Sequence, residues 1–385
     1  MTWTFKGSHA PTIGVEIELQ LIDPVSFHLI PVAQEILRKF VHTQENRITP
    51  EIHQSMIEVN SGIARNVKES SLQLKRKIIE LNRVADKLGI LTSITGTHPF
   101  QKWSDCVISQ QERYQGIYEK YQWLARRMNV YGTHVHIGVQ NEDQVLFLMQ
   151  RTIRYLPHLL ALSANSPFWQ GMDTGMKSSR ISIMESFPFA GLPPFFTSWN
   201  EFIYYCQLLK RSQAISSIKD LYWHVRPNLQ FGTIEFRICD AMTNLSEIMA
   251  VTAFIQCLVV WTLEKGREEK EEKFKESFWL APENIWVAAR DGLEGEVIIS
   301  SSGEKAFIKD EIRALVHKLL PFAKDLGCLE ELNYISTMIE QKSGADRQRE
   351  YYREYGSIES VAKSARNDFL NSLEESMVFV CKTPL

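Results

Sequence analysis

The sequence predicts an α+β fold in which an antiparallel or mixed sheet, backed by helices, forms the floor of an open cleft. Three observations carry that expectation. Long amphipathic segments alternate with short segments of period-two patterning. Four of the short segments are apolar on one face only. The opposite face of each carries ionisable side chains in place of neutral filler.

In Thr12–Asp23, the residues Ile13, Val15, Ile17, Leu19 and Leu21 share one face, and Gly14, Glu16, Glu18 and Gln20 the other. In Met56–Ser61, Ile57 and Val59 oppose Met56, Glu58 and Asn60. In Thr133–Val139, Val135, Ile137 and Val139 oppose His134 and His136. In Leu229–Ile238, read as one strand, Ile234, Phe236 and Ile238 oppose Thr233, Glu235 and Arg237. Helical spacing marks Val67–Leu88, which places Leu72, Lys75, Ile79 and Leu81 on one face amid charges. Glu112–Met128, Glu142–Ala164, Ser198–Leu209 and Ser246–Glu264 read as helices too, as does most of the chain from Phe307 onward, with breaks near Lys342–Asp346 and at Gly356.

The chain has 385 residues, 44% of them hydrophobic and 23% charged, enough to bury a large core. We expect one domain over 1–385, with the informative segments in about 10–295 and a helical part from about 305 to 385. A net charge of −3 leaves no basic surface for counterion-driven nucleic-acid binding. Ile248–Leu263 is short for a bilayer span and is interrupted by Thr252, Gln256 and Thr262, so it reads as a buried helix and no membrane partner is expected. The N-terminal stretch lacks a basic start followed by an apolar core, so no signal peptide is expected. The six cysteines are scattered without paired spacing, as in a reduced, cytoplasmic protein. The mixed-charge run Glu264–Glu276 reads as a solvated surface.

Clustered carboxylates raise one another's pKa unless a cation sits among them. Carboxylates with an imidazole suit Mg²⁺ or Mn²⁺, and Mg²⁺ with few protein ligands completes its shell with substrate phosphates. Arg180, Arg226 and Arg237 would neutralise phosphate or a substrate carboxylate. Gly171–Ser178 is close to a phosphate-binding loop but has its second glycine one residue early and a methionine before Lys177. His134 and His136 could supply two zinc ligands, but the partners on offer are mostly carboxylates, and no nucleophile motif stands out.

TIGVEIELQLIDP (12–24), PEIHQSMIEVNSG (50–62), GTHPF (96–100), GTHVHIGV (132–139), WHVRPNLQFGTIEFRICDA (223–241) and ENIWVAARDGLEG (283–295) together resemble the carboxylate–amine ligase family that includes glutamate–cysteine ligases of the second type. The resemblance implies a glutamine synthetase-like fold with a curved, six-stranded antiparallel sheet as the active-site floor. It implies ATP as co-substrate, Mg²⁺ or Mn²⁺ as cofactor, and small-molecule carboxylate and amine substrates joined through an acyl phosphate. It assigns Glu16, Glu18, Glu51, Glu58, His134 and Glu235 to the metals, and Arg237 and Arg180 to catalysis. His136 and Arg226 would contact substrate or nucleotide. Ile17 stands where relatives often carry a third glutamate, at a position that faces the core by period. The same face could serve a guanidino kinase, a ligase for another acid, or a binding protein without turnover, and a homodimer would be ordinary.

Overall fold

The computed structural model describes residues 4–8, 11–40, 48–266 and 271–380, with the backbone alone for 271–274 and 375–380. Parts of the N-terminal stretch and of the charged run Glu264–Glu276, together with Cys381, lie outside the described residues.

The expected α+β architecture is present. Its sheet has seven strands: β1 (Ile13–Ile22), β2 (Ile48–Pro50), β3 (Met56–Asn60), β4 (Leu91–Ser93), β5 (Thr133–Gly138), β6 (Val225–Asn228) and β7 (Thr233–Phe236). They run in the order β6-β7-β5-β1-β3-β2, and every pairing is antiparallel. Gln20 pairs with both Met56 and Ser93, so β4 extends the β5 side of β1 beyond the end of β5. The sheet thus has one strand more than the six that the resemblance implies, and β2 and β4 are too short for periodicity to reveal.

The segment Leu229–Ile238 is corrected. It is half of a hairpin: β6 precedes it, residues 229–232 turn, and β7 begins at Thr233. Gly232 closes the turn at φ 65°, in the left-handed region that favours glycine, and its N–H donates to Asn228 O at 3.0 Å.

Helices α1 (Ala33–Lys39) and α2 (Val67–Lys87) follow β1 and β3. The buried face of α2 is Val67, Leu74, Ile78, Leu81 and Ala85, whereas Leu72 is 41% exposed. The expected apolar face was therefore misplaced around the helix. The expected helix Glu112–Met128 breaks at Gln122, with φ 46°, into α3 (Glu112–Tyr121) and α4 (Trp123–Arg127). Glu142–Ala164 also divides, into α5 (Glu142–Arg151) and α6 (Leu156–Ser163), joined by a 3₁₀ turn. Pro157, without an N–H, sits in the first turn of α6, where none is needed.

Next come α7 (Ser179–Met184), α8 (Trp199–Arg211), α9 (Leu245–Lys265) and α10 (Glu271–Asp291). The C-terminal helices are α11 (Ile308–Asp325), α12 (Leu329–Glu340), α13 (Gly344–Tyr355) and α14 (Ile358–Val380). Asn66, Asn141, Ser198 and Asn244 cap α2, α5, α8 and α9, each accepting from a backbone N–H in the first turn. Such caps contribute about 1 kcal/mol each. Helix α9 is long and apolar enough to cross a membrane, but its apolar window is 83% buried inside the fold, as a core helix.

Ile13, Val15, Ile17, Leu19 and Leu21 of β1 join Val135, Ile137, Ile234 and Phe236 in a hydrophobic cluster that continues through α2, α9 and α11 to Phe369 and Leu373. A smaller cluster lies apart, with Ile117 and Ala125 of α3 and α4 packing on Ile52, Ile108, Phe187 and Tyr222. The large cluster lies behind the sheet, and the small one supports a lobe on the polar side.

Candidate active site

Antiparallel register converts the period-two spacing into a two-dimensional array. On β1, Glu16 is paired with His134 of β5 and Asn60 of β3, and Glu18 with Glu58 of β3. Glu58 is in turn paired with Thr49 of β2. Glu235 of β7 lies between His136 and Arg226 of β6. Directly paired residues have Cβ atoms about 4.5–5.5 Å apart, so these side chains crowd one face. They line a cavity of about 1480 Å³, which also takes in Glu51, Arg180 and Arg237. All ten residues singled out from the sequence are brought to this one space.

The acids fall into three groups whose oxygen or nitrogen atoms lie within 4.8 Å of one another: Glu18–Glu51–Glu58, Glu16–Glu58–His134 and Glu16–His136–Glu235. Glu16 and Glu58 each belong to two groups. Thr49 Oγ1 and Asn60 Nδ2 donate to Glu58 Oε1 at 2.8 and 3.0 Å. The Gly132 N–H donates to Glu18 Oε2 at 2.5 Å. The Tyr114 hydroxyl lies 3.3 Å from Glu51 Oε2 and 3.1 Å from Pro50 O.

The two ends of the array differ in charge balance. Burial, then the charge of Glu18, pushes the Glu51 carboxyl up to about 8. Burial, then the charges of Glu16 and Glu51, holds Glu58 well above the carboxylate range. Glu235 goes the other way: burial opposes its charge, but Arg226 and Arg237 outweigh it and hold the carboxyl well below its usual value. Arg226 grips Glu235 with two parallel bonds of 2.9 and 3.0 Å, and its remaining nitrogen donates to Lys219 O and Leu221 O. Arg237 also donates to Glu235. Burial raises Glu16 as well, but the charge of His136 and hydrogen bonds from His134 and His136 more than reverse it.

The two histidines diverge. Burial and then the Arg237 charge lower His134, whose Nδ1 sits 3.3 Å from Glu16 and 3.4 Å from Arg237, so it is held neutral. For His136, burial favours the neutral ring, but Glu16 and Glu235 prevail and raise it. Its Nδ1 meets Thr233 Oγ1 at 2.9 Å, and Nε2 lies 3.3 Å from Glu16. Neutral imidazole binds metal; imidazolium binds anions.

Arg180 reaches the cavity wall with its two terminal nitrogens engaged. It bonds the carbonyls of Arg237 and Ile238 at 3.2 Å each and lies 3.8 Å from the Asp240 carboxylate. Asp240 itself accepts from Asn165 N–H, Ser166 and Ser178. A Cβ at Gly132 would fall 2.3 Å from Arg180 Nη2, so only glycine leaves room for the guanidinium. The Gly171–Ser178 segment forms no phosphate cradle: Lys177 is bound to Asp346, and neither it nor the glycines line the cavity.

Sequence reasoning passed over Thr49, Asn60, Asn228 and Tyr114. Asn60 lies on the polar face already identified, so its period was available. Asn228 was hidden because the hairpin was read as one strand. Tyr114 falls inside the expected helix Glu112–Met128, whose spacing marks no polar site, and its hydroxyl reaches Glu51 from α3.

The profile of glutamate-cysteine ligase family 2 matches residues 12–364. A Thermobifida fusca protein assigned as glutamate–cysteine ligase 2 is 37% identical over 96% of this chain and 93% of its own length. A Gloeobacter violaceus protein of the same assignment is 38% identical over 94% of this chain and 97% of its own. Among solved structures, a Francisella tularensis glutamate–cysteine ligase in complex with AMP superposes with a TM-score of 0.67 at 11% identity, covering 99% of this chain and 96% of that one. A Pasteurella multocida bifunctional glutathione synthetase gives 0.65 at 15% identity, over 94% of this chain and 52% of that one. The structural likenesses speak to the fold, the sequence relatives to descent, and the chain belongs to glutamate–cysteine ligase family 2.

Proposed function

We propose that this protein is a single-domain, Mg²⁺-dependent ligase that uses ATP to join a carboxylate to an amine, most simply glutamate to cysteine. The observation that carries the reading is the array of three acid groups sharing Glu16 and Glu58, bounded by two arginines on Glu235. Family membership and the assignments of the relatives support it.

The donor set fits a hard divalent cation. It consists of carboxylate oxygens with imidazole nitrogen and no thiolate, and the raised Glu51 and Glu58 carboxyls ionise readily only beside added positive charge. Glu18, Glu51 and Glu58 would hold one ion and Glu16, Glu58 and His134 a second; Glu16 and Glu235 would share a third, with His136 left to the substrate side. Arg226 and Arg237 occupy only part of the carboxylate lone pairs of Glu235. When bound, Mg²⁺ or Mn²⁺ neutralises the nucleotide phosphates and withdraws electron density from the phosphorus under attack.

The chain's own residues supply the rest. In the first step a substrate carboxylate oxygen attacks the γ-phosphorus, and the bond to the ADP oxygen breaks. Arg237, oriented by Glu235, and His136 face the transferring charge. Arg180 acts behind them, fixing the Arg237 backbone. In the second step the amine nitrogen attacks the acyl carbon and loses a proton, and phosphate leaves. The five described cysteines are all free thiols, which suits a reducing cytoplasm.

The test is ADP and phosphate release with Mg²⁺ across a panel of acids and amines. Release that depends on one acid and one amine together, with an amide product, is expected. Transfer to a guanidino compound, or nucleotide binding without release under every pairing, would overturn the proposal.

A further inference from the structure

Among the described residues that line the cavity, only two side chains are large, apolar and strongly exposed: Ile63 at 81% and Phe231 at 50%. Both stand at the same end of the sheet. The Phe231 ring packs edge-on against His136, with centroids 5.9 Å apart. His136 is paired with Gly14 across β5 and β1, and a Cβ on Gly14 would sit 3.5 Å from His136 Cβ and 3.8 Å from Gly62 O. Ile63 follows Gly62. A continuous path therefore runs from Phe231 over His136 and the bare backbone of Gly14 to Ile63.

The fold holds both residues outward. Ile13 and Ala64 exchange backbone hydrogen bonds of 2.8 Å, and Ala64 is fully buried, so its neighbour Ile63 faces the cavity mouth. Phe231 rides on the β6–β7 turn, where its N–H donates to Asn228 Oδ1 at 3.1 Å and Val139 N–H donates to Gly232 O at 3.1 Å. The N-terminal segment packs so closely there that a Cβ on Gly232 would lie 1.8 Å from Lys6 O. The turn is thus clamped, and Phe231 is a fixed platform, not a loose loop tip.

We infer that Phe231 and Ile63 bracket the nucleobase of the nucleotide substrate over Gly14, as binding residues that pack on its flat faces. The inference rests on the proposed ATP-dependent reading. Among its ligands, the purine is the one large apolar ring, and Phe231 and Ile63 are the large apolar side chains of the cavity most open to it. A base seated here directs its phosphates past His136 toward the Glu16–His136–Glu235 group, where the array begins. Stacking on an aromatic ring tolerates any base, so the platform supplies affinity more than discrimination between purines.

The test is calorimetric titration of the full chain, in Mg²⁺, with the non-hydrolysable ATP analogue AMP-PNP and, separately, with inorganic tripolyphosphate. Phe231→Ala is expected to weaken AMP-PNP by about 10-fold, in line with the loss of one base–aromatic stack, and Ile63→Ser by a smaller factor. Phe231→Trp should bind like the unaltered protein. Tripolyphosphate, which has no base, should bind all variants equally. Unchanged AMP-PNP affinity in Phe231→Ala, or an equal loss for tripolyphosphate, would overturn the slot. Failure of the unaltered protein to bind either ligand would instead overturn the ATP-dependent reading.

Discussion

The two ends of the acidic array solve the same problem in opposite ways. At the β7 end, Glu235 is buried with Arg226 and Arg237, so its countercharge is part of the chain. At the β3 end, Glu18, Glu51 and Glu58 converge with hydrogen-bond donors from Thr49, Asn60, Gly132 and Tyr114, and among the described residues no guanidinium is ion-paired to them. The first end is assembled on folding. The second is strained until a cation is supplied. A built-in cation can orient a transferring group, whereas an exchangeable one can arrive and leave with substrate.

The largest expected effect lies where the ends meet. Glu16→Gln alters two of the three groups at once, and kcat should fall by about 10³-fold, as for loss of a principal charge-stabilising contact. A rate within 10-fold of the unaltered enzyme would remove Glu16 from the metal assignment. Stability then separates the ends. Glu235→Gln strands two buried guanidinium groups and should cost about 3–5 kcal/mol in denaturant unfolding. Glu58→Gln relieves repulsion and should raise the metal-free melting temperature while lowering activity. Equal destabilisation by both substitutions would break the comparison.

Solution pH probes the strained end next. The folded Glu51 carboxyl, raised to about 8, keeps its proton where the unfolded one has lost it. The folded state therefore binds more protons across that interval, and stability falls as pH rises. The buried rings of His53, His98 and His158, lowered by desolvation to about 4, 3 and 4, complicate only the range below their ordinary value. Glu16 and Glu235, held low, contribute a constant amount above the usual carboxylate range. Between pH 7 and 8, in chelator, the melting temperature should drop by about a few degrees, and Mg²⁺ should abolish the slope. A flat metal-free profile would contradict the strain. The smallest effect is Tyr114→Phe, which removes one hydroxyl from Glu51, a contact worth about 1 kcal/mol. Its Mg²⁺ affinity should change by about 5-fold, with the nucleotide-free fold intact by circular dichroism.

Much of this site was legible because β-strand period is local. Glu16, Glu18, Glu58, His134 and Glu235 could be placed on polar faces from alternation alone, and Ile17, where relatives often carry an acid, is buried in the core as its period requires. Alternation could not reveal which polar residues are neighbours, since register depends on strands far apart in sequence. The pairing of Glu16 with His134, or of Glu235 with Arg226, had no local signal. The β6–β7 hairpin was read as one strand because residues on both sides of the turn continue plausible alternation, and only the left-handed Gly232 marks the reversal. The face of α2 was misjudged because Leu72 and Ile79 lie beside the true apolar stripe, within the tolerance of a helical pattern. Tyr114 reaches Glu51 through packing of the small cluster, which no spacing encodes.

Sharing Glu16 and Glu58 among the three groups has a thermodynamic consequence. Sites with common ligands cannot fill independently, because the ion entering one fixes the orientation and protonation of a carboxylate that the next must use. On the proposed reading, Mg²⁺ uptake is then a linked sequence of steps. Its binding isotherm would depart from that of identical, separate sites, and protons would be released unevenly along it.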